Sequence, residues 1–216
     1  MFDFHSHTTF SDGELIISEL VRHAKFVGYT GIAVTDHGDH SNIDLVIPRI
    51  VKAAAKLSTG FDIIVIPGIE LTHIPPIHIA ELVKESRKLG AKIVLMHGEV
   101  ITEPVCAGTN LAAINAGVDI LAHPGLLSVK EAKLAAQKGI HIEITSRRGG
   151  CLTNGHVANL ARKYSVPLII NSDTHAPSDL LSAEKYYQVA LGAGLSPAEF
   201  KNVCKNAQSL AERVLK

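Results

Sequence analysis

Short apolar runs alternate with segments of helical periodicity along the whole of this chain. The runs are rich in Ile and Val at consecutive positions, as strands buried on both faces require. Seven strands are predicted, at 2–5, 31–35, 63–69, 92–96, 118–122, 140–144 and 167–171. Apolar residues at i, i+3 and i+4 predict helices at 14–27, 43–57, 79–89, 111–116, 129–137, 155–164, 180–191 and 197–214. Such repeated units predict an α/β fold with a parallel sheet, either closed as a barrel or open.

Histidines and carboxylates at the strand ends decide between these two architectures. Nine of them follow six of the seven predicted strands: His5, His7, Asp12, His37, Glu70, His97, His123, Asp173 and His175. Neighbouring strands are about 4.8 Å apart, so the outer strand ends of an open sheet would be widely separated. Only a barrel brings all of these ends around one centre, and we therefore expect a seven-stranded βα barrel.

The same residues indicate a metal site. Imidazole and carboxylate groups are the ligands that Zn²⁺, Mn²⁺ and Fe²⁺ accept, and nine are too many for one ion. His5 and His7 are two residues apart, so both side chains project to one side of a strand and can chelate one ion. Glu70 has two oxygens and can bridge two ions. The set predicts two or three divalent ions and metal-assisted hydrolysis at the carboxyl ends of the strands.

Composition excludes several classes of protein. The 216 residues fit one globular domain, 1–216, with 46% hydrophobic residues. Lys+Arg and Asp+Glu are both 21, so no net field favours an extended nucleic-acid duplex or an anionic membrane. Three widely spaced cysteines without a CxxC pair argue against a disulfide framework. With no signal peptide and no membrane-length apolar run, we expect a cytoplasmic protein.

The motifs around these ligands are specific when taken together. Residues 3–8 (Asp-Phe-His-Ser-His-Thr), followed by Ser-Asp-Gly at 11–13, resemble the first motif of the PHP (polymerase and histidinol phosphatase) superfamily. Ala-Val-Thr-Asp-His at 33–37 resembles its second motif. The remaining motifs occur in the expected order as Gly-Ile-Glu at 68–70, Met-His-Gly at 96–98, Ala-His-Pro-Gly at 122–125 and Asn-Ser-Asp-Thr-His at 171–175. The resemblance spans residues 3 to 175.

This resemblance implies a distorted (βα)7 barrel with a trinuclear centre. The family pattern assigns the first ion to His5, His7, Glu70 and Asp173. It assigns the second ion to Asp12, His37 and His175, and the third to Glu70, His97 and His123. Some members carry a histidine where this chain has Asp12. Among these ligands we name Glu70, Asp173 and His175 as the candidate catalytic residues.

Charge predicts the class of substrate. Three divalent ions and three ligand carboxylates leave a charge of about +3, which favours a phosphate over a neutral ester or amide. Arg147 and Arg148 follow the sixth strand in a glycine-bearing loop, which suits bidentate phosphate recognition. We take both, with His40, as candidate substrate-binding residues. The roles of His73, Glu99 and His156 stay open from the sequence.

Three functions fit these observations to different degrees. A metal-dependent phosphoesterase would use a metal-activated hydroxide on a small phosphate monoester, either a histidinol-phosphate-like molecule or a nucleotide. A non-catalytic PHP domain accessory to a replication or repair complex is the first alternative, although degenerate domains lose ligands. A metal-barrel amidohydrolase is the second alternative, but such enzymes usually carry a lysine ligand, and no predicted strand end offers one. We favour the phosphoesterase.

Overall fold

The seven predicted strands are confirmed, together with one short additional strand. The computed structural model describes residues 1–216. Its strands are β1 (Phe2–Asp3), β2 (Gly31–Val34), β3 (His37–Gly38), β4 (Ile64–Leu71), β5 (Ile93–His97), β6 (Ile120–Ala122), β7 (His141–Thr145) and β8 (Leu168–Asn171). All neighbours pair in parallel in the order β1-β2-β4-β5-β6-β7-β8. Strand β3 resumes the path of β2 and also pairs with β4.

Eight α-helices connect or follow these strands, close to the predicted bounds. They are α1 (Ile17–Val27), α2 (Ile43–Phe61), α3 (Ile79–Lys88), α4 (Thr109–Ala116), α5 (Val129–Lys138), α6 (Asn154–Tyr164), α7 (Ala183–Gly192) and α8 (Pro197–Leu215). Helix α1 starts three residues later than predicted. The Glu14 N–H donates to the carbonyl oxygen of His175 at 2.7 Å, which ties this segment to the end of β8.

The sheet curls into a nearly closed barrel. The segments that follow β1 and β8 share one isolated parallel bridge, between Ser6 and Thr174, in place of a regular ladder between the two strands. The His7 N–H donates to the Thr174 carbonyl oxygen at 2.8 Å. A side chain also crosses the seam, because the Asp3 carboxylate accepts the Ser172 N–H at 3.1 Å. The closure brings the first and last ligand-bearing segments into contact.

Two apolar clusters lie on either side of the barrel wall. The larger one, of 47 buried residues, packs the helices against the outside of the sheet. The smaller one, of 12 residues, fills the interior and includes residues of α8 such as Leu210. From this helix, Asn206 donates to the Leu168 carbonyl oxygen and Arg213 donates to Asp119, at the starts of β8 and β6. Helix α8 therefore covers the amino end of the barrel and leaves the carboxyl end open.

Side chains alternate between the two faces of each strand, and this alternation places polar side chains inside the open end of the barrel. Ile93 and Leu95 belong to the interior cluster, and His97 continues their face. Ile66 and Glu70 share a face of β4 in the same way. His123 does not follow this rule, because alternation from Ile120 would point it outwards. Its φ of 25° lies in the left-handed region, and the turn redirects its ring into the barrel.

Gly125, in the turn after β6, is expected to be essential for packing. Its φ is +65°, and a Cβ there would overlap the Glu99 carbonyl oxygen. Gly139 is a matched control, since its φ is +66° but a Cβ would meet nothing within 4 Å. G125A should lose about 1–3 kcal/mol more unfolding free energy than G139A, because overlap adds to the shared backbone strain. Chemical denaturation of both variants measures the difference, and equal losses would contradict it.

Candidate metal centre

The structure brings the nine predicted ligands together at the carboxyl end of the barrel. Their donor atoms fall into groups within 4.8 Å of one another. Three groups are formed only by predicted ligands: His5 with His7 and Glu70; His5 with His123 and Asp173; and His7 with Asp12, His37 and His175. A fourth group joins His97 to His73 and Glu103. The sequence had left the role of His73 open and had missed Glu103.

Glu70 is at the centre of the buried groups. Its Oε1 lies 3.2 Å from His5 Nε2 and 3.4 Å from His123 Nε2. Its Oε2 lies 3.6 Å from His7 Nε2 and 2.8 Å from His37 Nδ1. Two ligand atoms that share a tetrahedral ion at about 2.1 Å lie about 3.4 Å apart. The two oxygens of Glu70 therefore face different imidazoles at spacings that fit two ions.

Two further carboxylates, Asp173 and Asp12, contact the imidazoles of the predicted ligands from opposite sides of the centre. Asp173 Oδ1 lies 3.2 Å from His7 Nε2 and 3.6 Å from His5 Nε2. Asp12 is half-exposed, with Oδ2 3.2 Å from His175 Nε2 and Oδ1 3.6 Å from His37 Nε2. The Asp12 group thus forms the solvent-facing side of the centre, and Asp173 forms its buried side.

Unpartnered buried atoms show that these donors fit cations. Eight buried side-chain nitrogen and oxygen atoms have no hydrogen-bond partner, and six of them belong to this cluster. The six are His5 Nε2, His7 Nε2, Glu70 Oε1, Glu70 Oε2, His123 Nδ1 and Asp173 Oδ1. An unsatisfied buried polar atom costs about 1–3 kcal/mol, so the five that face one another, all but His123 Nδ1, require compensation. Divalent cations supply it, and the clusters are consistent with several such ions.

The buried charges shift one another's protonation. Burial would raise the pKa of Glu70, but the His5 and His37 rings hold it well below its ordinary value. Burial would lower the pKa of His37, yet the Glu70 and Asp12 carboxylates raise it to about 10. Burial would likewise raise the pKa of Asp173, which His5 and His7 hold far below its usual range. The carboxylates are therefore anionic and attract positive charge, whether protons or metal ions.

A further buried carboxylate, Glu143 on β7, orients two of the histidines. Its Oε1 lies 2.9 Å from His5 Nδ1, and its Oε2 accepts the His123 N–H at 3.0 Å. Asn171 donates to the same Oε1 at 2.7 Å. Carboxylates that hold the second nitrogen of a histidine fix its ring for metal binding. Sequence reasoning missed Glu143, although a glutamate between two isoleucines of a predicted strand was an available signal.

The centre opens into a cavity of about 360 Å³, which both predicted arginines line. Arg147 Nη1 is 3.3 Å from Asp179, whose Oδ2 also accepts the His175 N–H. Arg148 is exposed and forms no ion pair within 4.0 Å. The free guanidinium at the cavity is therefore that of Arg148, whereas Arg147 stabilises the loop that carries His175.

The other polar residues considered from the sequence lie elsewhere. His40 does not line the cavity, because its loop places its ring 5.4 Å from that of His78. Glu99 accepts the N–H groups of Gly108 and Asn110 at the start of α4, so it does not orient His97. His156 contacts the Leu127 carbonyl oxygen at 2.8 Å. His40, Glu99 and His156 therefore contact residues outside the groups of candidate metal ligands.

Comparison with known proteins agrees with this geometry. The profile of the PHP domain matches residues 3–164. The chain belongs to the PHP domain family. The structure shows the corresponding α/β fold, a nearly closed parallel barrel of seven strands with buried His, Asp and Glu clusters.

Relatives within the family have different assigned roles. An uncharacterized protein of Methanocaldococcus jannaschii is 50% identical over 93% of both chains. Ribonuclease P protein component 3 of Methanosarcina mazei is 34% identical, covering 92% of this chain and 82% of that protein. A probable phosphatase of Clostridium botulinum is 30% identical, covering 81% of this chain and 79% of that one. The relatives with a described role are therefore probable phosphatases or ribonuclease P components.

Solved structures show the same fold in both kinds of protein. A chain in the cryo-EM structure of archaeal ribonuclease P with mature tRNA has a TM-score of 0.76 at 18% identity. The alignment covers 99% of this chain and 91% of that one. A chain from the crystal structures of YwqE from Bacillus subtilis and CpsB from Streptococcus pneumoniae, described as metal-dependent tyrosine phosphatases, has a TM-score of 0.67 at 18% identity. The alignment covers 99% of this chain and 95% of that one. No helix here has the length and apolar character needed to cross a membrane.

Glu143 is expected to control metal affinity without binding metal. E143Q should weaken binding of the buried ions by roughly 10–100-fold, because an amide cannot satisfy both His5 and the His123 N–H as the carboxylate does. Competition with a chromophoric chelator measures the affinity. E81Q, on the exposed side of α3, is the matched control. If E143Q bound metal as tightly as E81Q does, Glu143 would have no orienting role.

Metal binding is also expected to release protons. The pKa of about 10 keeps His37 protonated in the metal-free protein at about pH 7.5, whereas a ligand needs a free lone pair. Calorimetry in two buffers of different ionisation enthalpy measures the protons released. H37N should release about one proton fewer than the parent protein. Apparent affinity should also rise with pH, and a pH-independent affinity would contradict the expected competition between protons and metal.

Proposed function

We propose that this protein is a metal-dependent phosphoesterase that hydrolyses a small phosphate monoester. The observation that carries the proposal is the set of buried, unpartnered donor atoms opening into a cavity with a free arginine. A purely structural cluster would pair its own lone pairs, as buried polar groups normally do. Here the donors face one another and the cavity, which is the arrangement that hydrolytic metal centres need.

The cavity volume favours a small substrate. At about 360 Å³ it lies at the lower end of the range of about 300–1,000 Å³ for small-molecule sites. A second cavity, of about 590 Å³, adjoins it and shares Arg147 and Arg148 as lining residues. A phosphate in the first cavity would therefore place its organic group towards the second. Both cavities are lined largely by polar side chains, which suits a polar substrate such as a histidinol-phosphate-like molecule or a nucleotide.

Each group of residues has a distinct task in this proposal. Bound divalent ions would lower the pKa of water and neutralise phosphate charge. Glu70, Asp173 and His175 are the catalytic residues, as ligands that hold those ions at the reacting phosphate. Arg148 would bind non-bridging phosphate oxygens, since its guanidinium can donate two parallel hydrogen bonds. No lysine lines the cavity, which argues against the amidohydrolase alternative with its lysine ligand.

Phosphate release from a panel of monoesters tests the proposal directly. The chain, loaded separately with Mn²⁺, Zn²⁺ and Fe²⁺, should release inorganic phosphate from at least one class of substrate. Activity should disappear with a chelator and return with metal. E70Q should be inactive, because the variant loses the carboxylate that faces four histidines. No release from any monoester with any of the three metals would refute the phosphoesterase proposal.

The two arginines should respond differently to substitution. R148A should raise KM at least tenfold and lower kcat less, because the free guanidinium contributes mainly to binding. R148K should recover only part of the loss, since an ammonium group cannot reproduce the planar fork. R147A should mainly lower stability, because Arg147 supports Asp179 beneath the His175 loop. Steady-state kinetics and thermal unfolding of the three variants separate these effects, and an unchanged KM in R148A would exclude phosphate recognition by Arg148.

A second candidate function is that of an RNA-binding protein component. The 34% identity to ribonuclease P protein component 3 favours it, although the balanced overall charge had argued against an extended nucleic-acid partner. Lys92 and Lys138 line a cavity at the amino end of the barrel, where two arginines both pair with Asp119. The two lysines would then bind phosphate backbones. Salt-dependent binding of a precursor tRNA that is weakened in the Lys92→Ala, Lys138→Ala double variant would support this function. Phosphate release without RNA binding would favour the phosphoesterase alone.

A further inference from the structure

His97 lies between the ligands of the family pattern and a second group of donors, with its ring centroid 4.4 Å from that of His123. That pattern shares one ion among His97, Glu70 and His123. In this structure the carboxylate within 4.0 Å of the His97 ring is Glu103, with Oε2 3.2 Å from Nε2. His123 Nε2 keeps its contact with Glu70 Oε1, at 3.4 Å, and groups with His5 and Asp173. Within 4.0 Å, the donor atom of His97 is thus paired with Glu103 and with neither carboxylate of the buried groups.

His73 completes a set of three donors around this point. Its Nε2 is 3.3 Å from the same Oε2 of Glu103, and its ring centroid is 5.1 Å from that of His97. The spacing matches the roughly 3.4 Å between two ligands of one tetrahedral ion. His73 also has a φ of 53°, and it shares this left-handed backbone with the predicted ligands His123 and Asp173. The chain thus holds His73 in an uncommon conformation that aims it at the same cavity.

The hydrogen bond of His97 identifies which nitrogen is free. Its Nδ1 lies 3.1 Å from the Gly98 carbonyl oxygen, which can only accept a hydrogen bond. Nδ1 therefore carries the proton, and in the neutral ring Nε2 presents a lone pair to Glu103. Metal-binding histidines are commonly fixed in this way, with one nitrogen donating to a carbonyl and the other facing the ion.

We propose that His73, His97 and Glu103 form an outer divalent-cation site at the mouth of the cavity. Two imidazoles and one carboxylate favour Zn²⁺, Mn²⁺, Fe²⁺ or Co²⁺ over Mg²⁺ or Ca²⁺. Three protein ligands leave coordination positions open, and all three residues line the same cavity as Arg148. The side chains of His73 and Glu103 are 43% and 45% exposed, against 0% for His5 and Glu70. An ion here exchanges with solvent, unlike those in the buried groups.

This site concerns metal binding alone and does not depend on the proposed phosphatase activity. Equilibrium dialysis of Co²⁺, with visible absorption, should resolve tight buried equivalents and one weaker equivalent. H73N and E103Q should weaken only the weaker class, by at least tenfold. Asparagine is chosen at position 73 because it tolerates the left-handed backbone. H23N on α1 and E81Q on α3 remove the same exposed groups elsewhere and should change nothing.

Nitrogen NMR of histidine-labelled protein identifies the ligands during a Zn²⁺ titration. The Nε2 resonances of His73 and His97 should shift in the same, late step, after those of His5 and His7. The site is refuted if H73N and E103Q bind Co²⁺ like the parent protein. It is equally refuted if His97 shifts together with His123 while His73 stays unchanged, since His97 would then serve the ion of the family pattern.

Discussion

A fully buried carboxylate among imidazoles is the constraint on which this barrel depends. Glu70 has both oxygens out of contact with solvent, and neither accepts a hydrogen bond of normal geometry, although imidazole nitrogens lie as close as 2.8 Å. Removing such an anion from water costs several kcal/mol, which only nearby positive charge can offset. Four histidines supply that charge when protonated, and bound cations supply it when the rings are neutral. The open end of the barrel therefore holds a buried negative charge that must be compensated. The stability of the folded protein is consequently linked to the binding of protons and metal ions.

The surrounding structure holds these groups in place. Glu143 fixes one nitrogen of His5 and the backbone of His123, while Asp36 accepts the Thr8 N–H at 2.7 Å and the Ser11 hydroxyl at 2.7 Å. Asp36 thereby shapes the loop between His7 and Asp12. Such contacts make the ligand geometry a property of the folded barrel and reduce the reorganisation that metal binding requires.

The similarity to two kinds of relative has a common physical basis. A barrel with an open carboxyl end offers one surface for chemistry, and its outer helices and amino end offer others for partners. This chain has ligand-type residues at all nine positions that the family resemblance assigns to metal binding, as the proposed hydrolysis requires. The same fold in a ribonuclease P chain shows that the architecture also serves in an RNA-containing assembly. Function therefore has to be argued from the metal centre and the cavity, since the fold is common to both.

The sequence by itself determined the barrel and the nine donors, because buried parallel strands and ligand spacing are local patterns. It also predicted the two arginines at the cavity. Only the tertiary structure separated Arg147, paired with Asp179, from the free Arg148. It likewise revealed Glu143 and Glu103, which meet their histidines across 138 and six residues of sequence. These side-chain pairs form only when the barrel closes and when left-handed turns such as that at His123 redirect the chain. The periodicity of the sequence predicts neither the closure nor the turns.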